Sequence, residues 1–364
     1  MNWLTAMIAC TTGMRARGVE VTGPTWLATD GIAPVDAAGD DTRVRVATRA
    51  AAAIAAAGIA SAAYQHAADA ADRRRYPPPG RLVDVGGRRL HLLAMGEGTP
   101  AVVIVPALGS NVLEWVRVLR GASAATTVCA YDRAGLGWSD PQHGTAGIDA
   151  MADDLHALLK AADIAPPYVI AGNSMGGVVA RRFQARYPED VTGMLLIDSS
   201  HEVQARRLGH GAWDGLRRAA RRRMRILGLR RIATHLGLIG GLDAASLAWE
   251  TVPEYEGAAK ALTLSTKERR AVAREMLVLG RPLGQPQSLG ALPLAVLSAG
   301  SASRRKWPVW APWAQLQDEL AALSSDSAYM YAVNAGHNVH LDDPGLVVQA
   351  IRDLVDRCRR DRAQ

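Results

Sequence analysis

The sequence predicts an α/β fold, with a mostly parallel, doubly wound sheet that carries helices on both faces. From Arg81 onward, short apolar segments alternate with segments of helical periodicity. Several of the apolar segments are unbroken, which is typical of strands buried on both faces. The first two strand-like segments flank Gly86 and Gly87 and predict an antiparallel hairpin. An antiparallel hairpin followed by parallel strands argues against α/β folds whose sheet is parallel throughout.

The remaining elements follow in order along the chain. After the hairpin (RLVDVGGRRLHLLAMG) we predict strands at AVVIVPA and TTVCAYD, a helix at GIDAMADDLHALLKAADI, a strand at YVIAG, a helix at SMGGVVARRFQARYPED and a strand at VTGMLLIDSS. Residues 201–289 are too long for a loop and are predicted to form an inserted helical cap. The chain then continues with LPLAVLSAG (strand), APWAQLQDELAALSS (helix), SAYMYAVNAG (strand) and GLVVQAIRDLVDRCRR (helix). Residues 81–200 and 290–360 are therefore expected to build the core.

The chain before the core divides into two parts. Residues 1–45 show no sustained period and are predicted to be disordered or an upstream extension. Residues 46–75 are predicted to be an Ala-rich helix, and Ala50–Ala68 contains no Asp, Glu, Lys or Arg. Two interpretations stay open, a surface helix on the one hand and a membrane anchor or uncleaved signal on the other, so the location is either membrane-associated or cytoplasmic. The sequence YPPPG then ends any helix.

The formal net charge of +7 invites a comparison with nucleic-acid-binding proteins. Most of the excess lies at Arg73–Arg75 and at residues 217–231, and neither stretch carries interleaved aromatic residues or a zinc module. We therefore expect no nucleic-acid partner. The basic segment 217–231 also contains apolar residues, which suits either contact with a membrane surface or a solvated face of the cap.

Cysteine usage predicts neither a metal site nor a disulfide framework. Cys10, Cys129 and Cys358 are odd in number and far apart. Cys129 lies inside the apolar segment TTVCAY and is predicted to be a small buried hydrophobe. We expect no metal and no cofactor.

Ser174 is the strongest candidate for a catalytic residue. The sequence GNSMG around it fits the pattern G-x-S-x-G, and it stands between a predicted strand and a predicted helix. Small flanking residues allow a sharp turn that lifts the serine hydroxyl clear of the sheet. The simpler alternative, a serine that merely starts a helix, is disfavoured by these flanking elements.

A serine hydroxyl needs a base to become a good nucleophile, and two histidines compete for that role. His337 directly follows Gly336 after the last predicted strand, at the sheet edge that also carries Ser174, whereas His340 lies in the apolar stretch beyond. We favour His337 as the base, with His340 supporting the loop.

The carboxylate that would orient the base is less obvious. In many enzymes of this architecture it follows the strand after the cap, but the sequence has no Asp or Glu between Glu275 and Asp318. We therefore predict Asp198, at the end of LLID, with Glu202 as the alternative.

Two further segments are expected to line the site. VIVPALGSN follows the third strand, and we predict that the Leu108 amide joins the Met175 amide in an oxyanion hole. YDRAGLGWSD is expected to brace the nucleophile loop, and its residues Trp138 and Ser139 are candidates for contact with substrate.

These motifs resemble those of the α/β-hydrolase superfamily, in the group with one helical cap. The resemblance covers roughly residues 81–360 and rests on GNSMGG, on YDRAGLGWSD and on AGHNVHLDDP. VPALGS replaces the more usual His-Gly pair at the oxyanion loop. The resemblance implies acyl transfer to water through Ser174, without a cofactor. Epoxide hydrolases and haloalkane dehalogenases of this superfamily use an Asp nucleophile, so Ser174 argues against those activities.

The sequence therefore predicts a serine hydrolase that acts on a carboxylic ester of a hydrophobic small molecule. Thioesterase, lactonase, amidase and acyltransferase activities stay open, as does a non-catalytic binding module with this fold. The oligomeric state is not predicted. The expectation of a hydrophobic substrate rests on apolar residues of the cap, namely Leu227, Leu229, Ile232, Leu236, Leu238 and Ile239.

Overall fold

The computed structural model describes residues 37–142, 144, 147–208, 251–300 and 310–363. Eight strands form one sheet in the order β1-β2-β4-β3-β5-β6-β7-β8. Strands β1 and β2 form the predicted antiparallel hairpin, β2 is antiparallel to β4, and all other neighbours are parallel. The strands span Arg81–Asp84, Arg89–Met95, Ala101–Val105, Val128–Tyr131, Tyr168–Asn173, Val191–Ile197, Leu294–Ala299 and Ser327–Ala332.

The α-helices of the described residues are numbered in chain order. Helices α1 to α5 span Ala37–Arg75, Val116–Ala122, Ile148–Ala161, Met175–Arg186 and Gln204–Arg207. Helices α6 to α10 span Glu256–Leu264, Thr266–Leu279, Trp310–Ala321, Val339–Asp342 and Pro344–Ala363. The predicted mostly parallel α/β fold is thus confirmed.

Helices pack on both faces of the sheet because neighbouring strand residues point to opposite sides. In β3, Val102 and Ile104 join a cluster with α2 and α10, whereas Val103 and Val105 join a cluster with α3 and α4. All five residues of β3 are buried, as expected for a central strand with both faces covered. Cys129 of β4 is also fully buried, as predicted, and burial raises the pKa of its thiol to about 12.

One helix departs from the sequence-based predictions in where it begins. Helix α1 begins at Ala37, inside the stretch predicted to be disordered or an extension. Helices α6 and α7 lie inside the predicted cap 201–289, which remains a prediction for residues 209–250 because these lie outside the described residues.

The chain divides into two compact units, residues 1–56 and 57–364. The described residues of the first unit form the first part of α1, from Ala37 onward, and Val44 and Val46 are exposed on it. In the second unit the end of α1 is bonded to the remainder of the unit. The buried Gln65 side chain donates to the carbonyl oxygen of Leu264 at 2.9 Å, and the Thr266 amide donates to Asp69 at 3.2 Å.

Candidate active site

Ser174 lies at the turn where β5 passes into α4. Its φ of 51° and ψ of −121° belong to a strained conformation that residues other than glycine rarely adopt. A Cβ atom on Gly172 would lie 2.6 Å from the Cα atom of Gly177, and one on Gly176 would collide with the carbonyl oxygen of Val105. The glycines are therefore required by the close approach of helix and strand, and the turn leaves Ser174 at the carboxyl edge of the sheet.

His337 follows β8 and contacts both other members of the predicted set. Its Nε2 atom lies 3.0 Å from Ser174 Oγ, and its Nδ1 atom lies 2.6 Å from Asp198 Oδ2. Asp198 follows β6, the strand beside β5, and is fully buried, whereas the His337 side chain keeps about a third of its surface exposed. The parallel sheet brings the three side chains together because the carboxyl ends of its strands meet at one edge.

The second oxygen of Asp198 is also used. Its Oδ1 atom accepts hydrogen bonds from Trp313 Nε1 at 3.0 Å and from the Ala299 amide at 3.2 Å. The Trp313 ring meets the His337 ring edge to face, with centroids 5.6 Å apart. Asp198 is thus held by donors on one oxygen and faces the imidazole with the other, which sets the orientation of the His337 ring.

The two alternative residues occupy other positions. Both carboxylate oxygens of Glu202 accept from the Arg181 guanidinium at 3.0 Å, in a buried ion pair. His340 is fully buried and stacks on Trp115 with ring centroids 4.0 Å apart. The structure therefore accounts for Glu202 and His340 by packing and ion pairing, and joins neither of them to Ser174.

Leu108 and Met175, the predicted oxyanion-hole residues, lie on the loop after β3 and at the first position of α4. Within the described part of the chain, neither amide donates a hydrogen bond. An oxyanion hole needs amides that are not already bonded to the protein, so this condition of the prediction is met.

The loop that carries Leu108 is held by a buried ion pair that sequence reasoning missed. Arg133 binds Glu275 of α7 through Nε at 2.6 Å and through Nη2 at 3.0 Å, and it also donates to the carbonyl oxygens of Pro106 and Ala107. The Gly109 amide donates to the same Glu275 carboxylate at 2.8 Å. The residues on either side of Leu108 are therefore fastened to one buried pair, which we call the Arg133–Glu275 clamp.

Trp138 and Ser139, predicted to contact substrate, are used within the turn that follows β4. Ser139 is fully buried, and its hydroxyl accepts from the His91 amide at 2.8 Å and donates to the carbonyl oxygen of Asp132 at 2.5 Å. Trp138 Nε1 donates to the carbonyl oxygen of Tyr76 at 2.9 Å. Because Ser139 has no exposed surface and its hydroxyl is used in these two hydrogen bonds, it offers no contact to a substrate.

A second Asp–His pair joins this turn to β2 and is structural. His91 Nδ1 is 2.7 Å from Asp132 Oδ2, and both side chains are fully buried. Burial opposes ionisation of Asp132, but the neighbouring His91 and the amides of Val112 and Trp138 outweigh it and lower its pKa. The Asp132 carboxylate thus ties the turn to β2 and to the segment before α2.

Glu268 of α7 gives this region a pH dependence. Its carboxylate accepts from the Gly137 amide at 2.8 Å, and burial, followed by the charge of Asp132, raises its pKa from 4.5 to about 8. The folded protein therefore keeps a proton that the unfolded chain loses near pH 4.5, so stability falls as pH rises through this range. We therefore expect the melting temperature of Glu268→Gln, measured relative to that of the parent, to be higher at pH 9 than at pH 5. Thermal unfolding of both proteins at the two pH values measures this difference. A constant difference would contradict this assignment.

Known proteins with similar sequence and structure place the chain in a family. The sequence profile of the alpha/beta hydrolase fold family matches residues 100–344. The chain belongs to this family. Like its other members, this α/β hydrolase has a helix-flanked, mostly parallel sheet.

Individual relatives agree with this assignment. The chain is 25% identical over 260 residues to YqjL of Bacillus subtilis, a match that covers 71% of this chain and 85% of YqjL. An esterase from Thermogutta terrifontis superposes with a TM-score of 0.56 at 22% identity, over 76% of this chain and 97% of the esterase. An enol-lactonase from Burkholderia xenovorans gives a TM-score of 0.54 at 18% identity, over 76% of this chain and the whole of that chain. At these identities the structural matches show the shared fold.

Proposed function

We propose that this α/β hydrolase is a serine hydrolase that cleaves a carboxylic ester through an acyl-enzyme. The observation that carries the proposal is the hydrogen-bonded series Ser174 Oγ to His337 Nε2 at 3.0 Å and His337 Nδ1 to Asp198 Oδ2 at 2.6 Å. This is the arrangement in which a base can take the serine proton while a buried carboxylate orients the base.

The proposed reaction has two halves. Ser174 Oγ attacks the ester carbonyl while His337 Nε2 takes its proton, and the Leu108 and Met175 amides stabilise the resulting oxyanion. The C–O bond to the alcohol then breaks, and His337 returns the proton to the departing oxygen. Water, deprotonated in turn by His337, attacks the acyl-enzyme and releases the acid and the Ser174 hydroxyl. Asp198 stabilises the imidazolium in both halves.

The Thermogutta esterase and the Burkholderia enol-lactonase make esters and lactones reasonable first substrates to test. The expectation of a hydrophobic acyl or alcohol group rests on the cap sequence at 227–239, which lies outside the described residues. A panel of p-nitrophenyl esters of increasing acyl length, with an aliphatic lactone beside it, addresses both points. We expect kcat/KM to rise with acyl length across the panel.

Labelling of the serine tests the enzyme proposal directly. We expect a fluorophosphonate probe to label the full-length protein, and Ser174→Ala to abolish both labelling and ester hydrolysis. Ser325→Ala, which removes an exposed serine hydroxyl elsewhere, is the matched control and should label like the parent. If the well-folded parent protein takes no label, the proposed hydrolase activity is wrong and a non-catalytic binding function is favoured instead.

The N-terminal helix is long and apolar enough to cross a membrane by length and composition, over Val44–Arg75. Gln65 and Asp69 are hydrogen-bonded to Leu264 and Thr266, and Arg49 limits the other end, so the uncharged part between these positions is the fifteen residues 50–64. At 1.5 Å per residue this part is about 22 Å long, shorter than the ~30 Å core of a bilayer. We therefore propose a surface helix rather than a span.

Membrane fractionation tests this proposal. We expect a carbonate wash to leave none of the full-length protein in the membrane pellet, because carbonate removes peripheral proteins and retains spanning ones. Protein that stays in the washed pellet would show that α1 spans the membrane.

A further inference from the structure

A pocket with a volume of about 350 Å³ lies away from Ser174, between the second half of α1, helix α7 and the segment 131–142. None of Ser174, His337, Asp198 and Leu108 lines it. Its volume is in the range of small-molecule sites, about 300–1,000 Å³. It is therefore a concave site apart from Ser174 and His337, although Arg133 and Glu275 of the clamp also line it.

The pocket wall is apolar in part. Ala62 of α1, Ala134, Pro141, Met151 of α3 and Ala271 of α7 contribute hydrocarbon surface to it. Apolar walls of this kind favour an aliphatic or aromatic group, because the group leaves water when it binds.

The charges that line the pocket favour an anion. The three acidic residues of the wall are engaged, since Asp69 binds the Thr266 amide, Asp154 binds Arg88 and Glu275 belongs to the Arg133–Glu275 clamp. In contrast, Arg73 and Arg270 also line the pocket and form no ion pair within the described residues. Both side chains are exposed and can turn toward a bound anion.

The wall also holds an unsatisfied donor. Tyr131 is 1% exposed, and its hydroxyl is buried without a hydrogen-bond partner among the described residues. Buried polar groups in native proteins nearly always have a partner, so an orphaned donor in a pocket wall points to an occupant that carries an acceptor.

We propose that this pocket binds an amphipathic anion, a fatty carboxylate of medium chain length. Its chain packs against the apolar wall, and its carboxylate pairs with Arg73 and Arg270. A guanidinium–carboxylate hydrogen bond is among the stronger polar contacts and distinguishes the acid from the corresponding alcohol. This inference does not depend on the proposed ester hydrolysis.

Binding of decanoate to full-length Ser174→Ala protein, followed by calorimetry, tests the proposal without turnover. We expect decanoate to bind at least tenfold more tightly than decanol, which lacks the charge, and than butyrate, which lacks the chain. In that background, Arg73→Gln with Arg270→Gln should weaken decanoate about tenfold and bring it near decanol. Ala62→Trp, on an exposed helix position at the pocket, should block both ligands.

Arg360→Gln is the matched control, because Arg360 is exposed on α10 and does not line the pocket. It should leave decanoate affinity unchanged. The proposal is overturned if decanoate at about 1 mM shows no binding to the Ser174→Ala protein. It is also overturned if the Ala62→Trp and double glutamine variants bind decanoate as tightly as that protein does. Fluorophosphonate labelling of Ala62→Trp with Ser174 intact reports separately on hydrolysis, so failure of one proposal is distinguishable from failure of the other.

Discussion

Replacing Asp198 with Asn is expected to lower kcat for ester hydrolysis by about four orders of magnitude while the protein stays folded. Asn has the size of Asp but no charge, so it cannot stabilise the imidazolium that forms on His337. Trp313 Nε1 and the Ala299 amide both donate to Asp198 Oδ1, so an Asn amide nitrogen at that position would face two donors and find no acceptor. The Asn side chain is therefore driven to present its nitrogen to His337, which favours the wrong tautomer.

The measurement is kcat on the best p-nitrophenyl ester, with melting temperature as the check on folding. Glu202→Gln is the control, because it makes the same change in the carboxylate that the sequence offered as the alternative. This control weakens the buried Arg181 ion pair, so it should lower the melting temperature and leave the kcat of the folded protein near that of the parent. Activity that survives Asp198→Asn and is lost in Glu202→Gln would reverse the assignment of the acid.

The second large effect is expected at the Arg133–Glu275 clamp. Glu275→Gln should lower kcat by about 100-fold, the size of effect seen when one oxyanion-hole donor is lost. The substitution removes the charge that holds Arg133, and Arg133 in turn holds the carbonyl oxygens of Pro106 and Ala107. The Leu108 amide between these contacts then loses its fixed position, and KM should change little because ground-state contacts are not involved.

Folding must be separated from positioning in this experiment. Glu275→Gln leaves a buried guanidinium without its counter-charge, a change that costs about 3–5 kcal/mol in comparable sites. Arg133→Lys keeps the charge pair but cannot reach both carbonyl oxygens and the carboxylate, so it should retain more stability and still lose about tenfold in kcat. Glu268→Gln is the matched control, since Glu268 lies on the same helix and binds the Gly137 amide instead of the oxyanion loop.

A readout specific to the oxyanion completes the test. A boronic acid that forms a tetrahedral adduct on Ser174 should lose affinity in Glu275→Gln by the same factor as kcat/KM, because both depend on the oxyanion hole. An uncharged ester analogue that binds without forming the adduct should keep its affinity. Equal losses for both inhibitors would show that the clamp only stabilises the fold.

Local patterns were enough to predict most of the sheet. Strands such as β3 and β5 are short apolar segments with glycine or proline close by, so their length and periodicity mark them independently of the remaining chain. No helix was predicted at α2, which has only seven residues and follows a loop. For α1 the start was missed, because the helix extends to Ala37 into a stretch without clear periodicity.

The candidate site was predicted where its residues carry a local signature. Ser174 is marked by its glycines, and His337 by its place directly after the last strand. Trp313, Arg133 and Glu275 were missed as parts of the site. Arg133 stands in the quoted segment YDRAGLGWSD, but Glu275 lies in an Arg-rich helix with no motif around it. The only available signal for Glu275 was that it is the last acidic residue before a long stretch without any.

By itself the sequence determined the α/β class and marked Ser174 and His337 as candidates, because each of these rests on a pattern of residues close together in the chain. Tertiary structure alone decided which carboxylate faces the imidazole and what holds the oxyanion loop. The Asp198–His337 contact joins residues 139 positions apart, and the Arg133–Glu275 contact joins residues 142 positions apart. Such partners are selected by the order of strands in the sheet and by helix packing, which spacing along the chain does not encode.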